Sequence, residues 1–338
     1  MTTWKISWKP LSSLSTPLQS DTIFGHLCWA VNYLWAEKDK NKLTDFLNAL
    51  KKTPCLILSS AFPAGSLPKP VIPVKDELLD EIRQTLKGEL NEITDLEISQ
   101  VLKDLKKDKW IRRKDLQEKN FVYDVKNDLK SLSLVKGKEI LKNRGNPKFN
   151  PKSEEEIIEF HNMIDRITGT TTGSGELFAS STVFYNDISF ESWLDTDYFG
   201  ESEIKEIFQF IEQNGFGKDK NTGKGKFEIL VEEFHWQDCP QNNAYLNLSN
   251  MVPSSTDSTI ASYNSKTKFG KVGGDFAIQK TPFKYPIYII EPGAVFFAQG
   301  KDKKPVGSLL SNIHPTENIV QNLYSFSIPI KILSLIHI

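Results

Sequence analysis

The densest chemical signal in the sequence runs from Gly215 to Phe227 and reads Gly-Phe-Gly-Lys-Asp-Lys-Asn-Thr-Gly-Lys-Gly-Lys-Phe. Gly215, Gly217, Gly223 and Gly225 can adopt positive φ and turn backbone N–H groups toward an anion, while Lys218, Lys220, Lys224 and Lys226 set point charges against Asp219 alone. A Walker loop needs Gly-Lys-Ser/Thr opening a helix after a strand. Here a helical pattern precedes the loop and a strand pattern follows, so the segment suits several phosphates and is not a Walker loop. A flexible solvated connector is the plain alternative.

A second segment is Pro17 to His26. Ser20 is placed to cap a helix, Asp21 and Thr22 fall in its first turn, and Gly25 leaves room for another backbone to approach. Free N–H groups at such a helix start carry partial positive charge and suit a phosphate, although an ordinary capped helix explains the same residues. A third segment, His161 to Thr170 with Gly175 to Phe178 on the return strand, offers Arg166 to fork onto a phosphate or stack on a base. Thr168 and Thr170 lie beside it, and Ile167 is placed to wedge between bases; Asp165 and Arg166 as plain surface charges are the alternative.

The elements that must position these segments follow from periodicity. Thr3 to Trp8 alternates as a strand, and the Pro- and Ser-rich loop Pro10 to Ser20 leads into Asp21 to Trp35, where Phe24, Leu27, Cys28, Val31 and Trp35 keep helical spacing. Leu43 to Leu50 predicts a second helix and Cys55 to Leu58 a short strand. The Pro-rich Phe62 to Pro73 is expected to be irregular, extended and exposed. Asp76 to Lys119 is charge-dense and helical in pattern, an expected insertion; Lys136 to Ser153, with Gly137, Gly145, Pro147 and Pro151, reads as a basic loop. Glu156 to Ile167 and Glu176 to Tyr185 predict a long β-hairpin. Ile204, Ile207, Phe208 and Ile211 mark a helix ending at Asn214-Gly215, before a strand from Phe227 to Phe234. Beyond Gln241, strand-like runs at Tyr245 to Leu248, Tyr263 to Phe269, Tyr285 to Ile290 and Tyr324 to Ile332 give a β-rich half.

Composition bounds the class. With 338 residues, 39% of them hydrophobic, the chain can bury a sizeable core. No apolar run approaches the ~18–20 residues of a membrane span, so a soluble, cytoplasmic protein with no membrane partner is expected. Cys28, Cys55 and Cys239 form no Cys-x-x-Cys pair and give neither a disulfide framework nor a zinc knuckle. Forty-two Lys and Arg against forty-three Asp and Glu exclude a uniformly basic polyanion binder, so affinity must come from patches. The charges segregate into a basic stretch Lys136 to Lys152 and an acidic stretch Glu191 to Glu212, expected to face phosphate and protein respectively.

Ser20-Asp21-Thr22-x-Phe24-Gly25, Phe62-Pro63 with Leu67-Pro68-Lys69-Pro70, Ile164-Asp165-Arg166-x-Thr168-Gly169 with Gly175-x-Leu177-Phe178, and the Gly215 to Phe227 loop together resemble the RAMP superfamily of CRISPR proteins. More narrowly they resemble its Cas-five group, in the form of the family of fourth subunits of type III-A Csm complexes. The resemblance covers Met1 to about Phe234. It implies an α+β fold: a ferredoxin-like (RRM-like) βαββαβ RAMP domain over residues 1–240, with a helical insertion near 76–120 and a thumb hairpin near 155–186. A β-rich region over 241–338 follows.

The implied role is a non-catalytic subunit of an antiviral effector complex that anchors the 5′ handle of the CRISPR guide RNA. It would lie near the target RNA and bridge the large cyclase and nuclease subunit to the backbone RAMP subunits, with no cofactor and no metal. RNA contact is implied at Ser20, Asp21, Thr22, Gly25, His26, Lys69, Arg144, Arg166, Thr168, Thr170, Gly215, Gly217, Lys218, Lys220, Gly223, Lys224, Gly225 and Lys226. A RAMP-type endoribonuclease acting on guide precursor, with His26 as acid or base, is the rival class; the equivalent subunit of a type III-B Cmr complex and an adaptor without RNA contact are the others.

Overall fold

The computed structural model describes residues 1–144, 154–162, 164, 166–168, 170–171, 177–278, 281–298, 304–315 and 319–333. Strand β1 (Thr2–Pro10) turns Trp4, Ile6 and Trp8 inward at every second position. Helix α1 (Ser20–Leu34) lays Ile23, Phe24, Leu27, Ala30 and Val31 on that core at helical spacing, and α2 (Lys42–Lys52) adds Phe46 and Leu50. Strands β2 (Leu56–Leu58), β3 (Phe62–Pro63) and β4 (Ser66–Pro68) follow. Next come α3 (Asp76–Glu89), α4 (Asp95–Lys107), β5 (Trp110–Arg112), α5 (Arg113–Glu118), β6 (Val122–Asp124) and α6 (Val125–Lys142). Strands β7 (Glu154–Asn162) and β8 (Leu177–Tyr185) form a hairpin, and β9 (Phe190–Thr196), α7 (Glu201–Asn214) and β10 (Phe227–Glu233) complete the first half. The second half holds β11 (Ala244–Asn247), β12 (Ala261–Ser262), β13 (Ser265–Lys268), β14 (Ile287–Ile290), β15 (Val295–Phe297), β16 (Gly307–Leu310), β17 (Gln321–Tyr324) and β18 (Ser327–Leu333).

The first sheet runs β10-β1-β9-β2 with every neighbouring pair antiparallel, and β3 also pairs with β9. With α1 between its first two strands and α7 between its last two, this is the ferredoxin-like βαββαβ order. Trp8 sits at the centre: its ring packs edge-on to Phe208, Phe216 and Phe227, and its Nε1 donates to Ser192 Oγ at 2.9 Å. Strand β9 is buried at nearly every position, as a strand covered on both faces must be. Leu194 faces the α1 and α7 core, while Trp193 faces a second core built from the helices of 76–142 and the strands after 241.

That second core differs from the expected surface insertion. The sheet β12-β15-β11-β18 continues into β6, whose Val122 to Asp124 pair in parallel with Lys331 to Leu333. Ile82, Leu86, Ile98, Val101 and Leu129 from the helices pack together with Leu246, Phe326, Ile328 and Ile330. The basic stretch is likewise helical as far as Lys142: Gly137 sits inside α6 because a Cβ there would lie 2.6 Å from Leu90 Cδ1, so the glycine marks a close helix contact and not a loop. The rest of that stretch, 145–153, lies outside the described residues, as do the hairpin connection 172–176, Asp165, Gly169 and 334–338. The Pro-rich segment also departs from expectation, because β3 and β4 are strands and Leu67, Pro68 and Pro70 are buried. Among the described residues, no helix is long and apolar enough to cross a membrane.

Candidate nucleic-acid interface

Three of the sequence motifs converge, and the hub is the β1–α1 connection Leu11 to Gln19, whose first part, Leu11 to Thr16, carried no assigned role. Leu14 forms a β-bridge with Val183 of the hairpin, with backbone bonds of 2.8 and 2.9 Å in the two directions. On its other side the connection stitches down the glycine loop. The N–H of Gly225 donates to Ser13 C=O at 2.8 Å, that of Lys226 to Ser12 Oγ at 2.9 Å, and that of Lys218 to Thr16 Oγ1 at 2.9 Å. The run Ser12-Ser13-Leu14-Ser15-Thr16 is the signal that was there to find: small hydroxyl side chains that satisfy a loop's amides.

The glycines do take the special conformations expected. Gly215, Gly217, Gly223 and Gly225 have φ of 75, 80, 94 and 66°. Their purpose is different, however. The Gly217 N–H donates to His26 Nε2 at 2.9 Å, Phe216 N–H to Gly225 C=O at 2.8 Å, and the N–H groups of Thr222, Gly223 and Lys224 close back onto Asp219 and Lys220 carbonyls. The N–H groups of all four glycines, that of Gly215 bonding to Ile211 C=O, are thus committed inside the protein, so the glycines do not aim them at phosphate as expected; the loop displays its lysine side chains. Lys218 and Lys226 are exposed and Lys220 is half-buried. Lys224 instead reaches Glu159 of β7 in a mostly shielded ion pair, tying the loop to the hairpin.

His26 is the loop's anchor. Its ring stacks on Phe216 at 4.4 Å, and burial, with Lys220 nearby, pushes its pKa down to about 4, so the imidazole is neutral near pH 7 and accepts from Gly217. Gly25, on the same helix, faces open space where a Cβ would meet nothing within 4 Å. Asp21 and Ser20 are not at a surface. Both are buried, and Asp21 binds Lys268 Nζ at 2.7 Å, Gln321 Nε2 at 2.6 Å and Asn250 Nδ2 at 2.9 Å, while Ser20 Oγ accepts from Asn250 N–H at 3.0 Å. The helix cap is Gln19 and carries no side-chain cap bond. These two residues therefore bolt the first half to the second and cannot receive RNA directly. Thr22 lies beside them, with Lys268 Nζ 3.3 Å from its hydroxyl.

Two more candidates fall elsewhere. Arg144 makes a two-pronged pair with Glu97 at 2.7 and 2.6 Å and donates to the Glu92 carbonyl, so it closes the helical insertion; Lys136 likewise pairs with Asp108 at 3.1 Å. Lys69 donates to the Leu105 carbonyl at 3.3 Å, and burial, with Lys136 acting the same way, pulls its pKa below the ordinary lysine value. It lines a cleft of about 880 Å³ whose walls also include Leu14, Pro17 and Gln19 of the β1–α1 connection, Tyr185 of the hairpin, Trp110 and Lys266; no residue of the glycine loop lines it. Nor is the acidic stretch one face. Glu191 is buried against Arg113 at 2.9 Å and Asp195 accepts from Thr3 at 2.6 Å, leaving Asp197 and the α7 acids near the surface.

The hairpin has two unlike faces. Thr182 and Ser180 are buried beneath it, whereas Ile158 and Phe160 on the opposite face are 59% and 73% exposed. At its far end Arg166, Thr168 and Thr170 are exposed, Thr170 Oγ1 donating to Thr168 Oγ1 at 3.1 Å, and Ile167 is 95% exposed. A ferredoxin-like sheet with a glycine loop between α7 and β10 and a hairpin inserted before β9 defines the class of fold. The chain matches the model of the RAMP superfamily over residues 13–228 and belongs to it. In fold it is similar to a chain of a Csm1–Csm4 cassette crystallised with pppApA, at 14% identity and TM-score 0.53 over 99% of this chain and 100% of that one. It is similar also to a chain of a Csm3–Csm4 subcomplex from the type III-A CRISPR-Cas interference complex, at 13% identity and TM-score 0.53 over 97% and 99%. No curated protein matches the chain.

Proposed function

We infer that this chain is a non-catalytic subunit of a type III-A CRISPR effector complex, holding the 5′ handle of the guide RNA and joining a large Csm1-like subunit to Csm3-like backbone subunits. The observation that carries it is the convergence of hairpin, β1–α1 connection and glycine loop, with Lys218, Lys220 and Lys226 displayed on a scaffold whose glycine amides are bonded within the protein. Such lysines act on phosphates as point charges, so they position the RNA without reading its bases. The end-to-end likeness to chains of Csm1–Csm4 and Csm3–Csm4 assemblies supports the placement. Against a nuclease stands His26: its Nε2 lone pair is engaged by Gly217 and its proton affinity is suppressed, so it is ill suited to shuttle a proton.

The test is handle-RNA binding by the assembled complex across a salt series. Replacing Lys218, Lys220 and Lys226 together by Ala should weaken binding and flatten the log–log salt slope by about 2, at about 0.7 per lost single-strand phosphate contact. An unchanged slope and affinity would place the guide's 5′ end elsewhere. RNA cleavage by the intact complex that vanishes in a His26→Gln variant would overturn the non-catalytic assignment.

A further inference from the structure

The exposed aromatic rings of the second half gather on one ribbon. Strands β13 and β14 pair antiparallel with Thr267 opposite Tyr288, and the pairing resumes beyond a bulge with a Lys271–Phe283 bridge. Side chains alternate across such a ribbon. One parity, Thr267, Phe269 and Lys271 with Tyr288, Tyr285 and Phe283 opposite, faces outward, while its first pair, Ser265 with Ile290, is half-buried and buried. Phe269 is 74% exposed, Phe283 and Tyr288 63% each and Tyr285 54%; Tyr263, just before β13, is exposed as well. The other parity packs inward, where Ile287 and Ile289 are buried and Lys268 holds Asp21. The ribbon is anchored, too, because the backbone of Gly273 and Gly274 lies against the Trp29 ring of α1.

Such a row of rings in water needs an occupant. The charge pattern decides its chemistry. From Ser265 to Lys271 and Phe283 to Tyr288 there are four lysines and neither Asp nor Glu, in a chain otherwise balanced in charge. Lys266 and Lys268 are paired internally with Glu291 and Asp21, and Lys284 is turned in toward Gln321, which leaves Lys271 as the outward cation, 5.3 Å above the Phe283 ring. Flat rings interleaved with a cation, with no carboxylate within either strand segment, match the faces of unpaired bases.

We propose that the outer face of the β13–β14 ribbon is a stacking platform for single-stranded nucleic acid, separate from the lysines of the glycine loop. Because one outward lysine accompanies four rings, binding here is dominated by base stacking. It tolerates sequence, excludes duplex, and depends on salt only weakly, by about 0.7 in log–log slope for the single phosphate contact. The proposal stands whether or not the glycine loop holds the guide's 5′ end.

The test uses the purified full-length chain with fluorescent 12-mers of RNA and of DNA, and a duplex of the same sequence, in both the native protein and one carrying Phe269→Leu, Phe283→Leu, Tyr285→Leu and Tyr288→Leu. Leucine keeps the apolar area but removes the π face, and circular dichroism with a thermal melt checks folding. Each ring that stacks a base contributes about 5- to 150-fold, so the fourfold variant should lose at least tenfold in affinity for the single strands with its salt slope nearly unchanged. Loss for RNA alone identifies an RNA platform through its 2′-hydroxyls, and equal loss for DNA a general single-strand platform. Unchanged single-strand binding overturns the proposal. If that variant instead fails to assemble with the neighbouring subunits, the ribbon is a protein interface.

Discussion

Replacing Gly225 by Ala separates the loop's internal architecture from its charge. At φ 66° an L-residue is strained by about 1–2 kcal/mol, and the new Cβ would lie 1.9 Å from the Phe216 carbonyl oxygen, so the backbone must move. That movement breaks two bonds, Phe216 N–H to Gly225 C=O and Gly225 N–H to Ser13 C=O, both 2.8 Å and each worth about 1 kcal/mol net. The sum is about 3–4 kcal/mol. Gly223 is the control, for it has φ 94° and nothing within 4 Å of the added Cβ, so only the strain of about 1–2 kcal/mol applies. Chemical denaturation of the purified chain, followed by Trp fluorescence, should rank Gly225→Ala well below Gly223→Ala. Handle-RNA titrations should show lower affinity for Gly225→Ala at a nearly constant salt slope, because no cation has been removed. Equal destabilisation by the two substitutions would refute the derivation, since only the close approach to Phe216 distinguishes them.

Other substitutions follow from the same geometry. His26 has a folded pKa of about 4 against about 6.5 when unfolded, so the unfolded chain binds the extra proton: stability is full above pH 6.5 and falls as pH drops toward 4, by up to about 3 kcal/mol. His26→Gln keeps an acceptor for Gly217 without titrating, and its urea midpoint should vary less over that window. Lys224→Ala removes the partner of Glu159 and should raise proteolytic susceptibility of the hairpin by loosening it, costing about 1 kcal/mol, while Lys218→Ala lowers the salt slope of RNA binding and leaves the hairpin intact. Asp21→Asn leaves Lys268 without its countercharge and sets an amide against the donors of Gln321 and Asn250; a loss of about 3 kcal/mol in chemical denaturation is expected, and a loss under 1 would contradict the buried pairing.

Local periodicity made the ferredoxin-like half legible. The alternation of Trp4, Ile6 and Trp8 and the spacing of Ile204, Ile207, Phe208 and Ile211 name their elements directly, because burial on one face leaves a period in the sequence. The glycine loop's positive φ angles were equally readable. What its amides bond was not, since Ser12, Ser13, Thr16 and His26 lie some two hundred positions away along the chain. Asp21 was misjudged for the same reason: a carboxylate in a helix's first turn is the same residue whether it meets solvent or Lys268 from the other half. Gly137 and the helix around it were hidden because a glycine that admits a neighbouring helix resembles one that opens a loop.

The parallel pairing of β6 with β18 also dictates a timetable for biosynthesis. A ribosome adding about 5–20 residues each second delivers Lys331 on the order of 10–40 s after Val122. During that interval Ile82, Ile98, Val101 and Leu129 await first Leu246 and last Ile328 and Ile330, their partners in the same core. The nascent polypeptide is thus a ferredoxin-like core trailing a bare apolar surface, and a message cut short before β18 yields a sticky, chaperone-dependent fragment in place of a smaller working subunit.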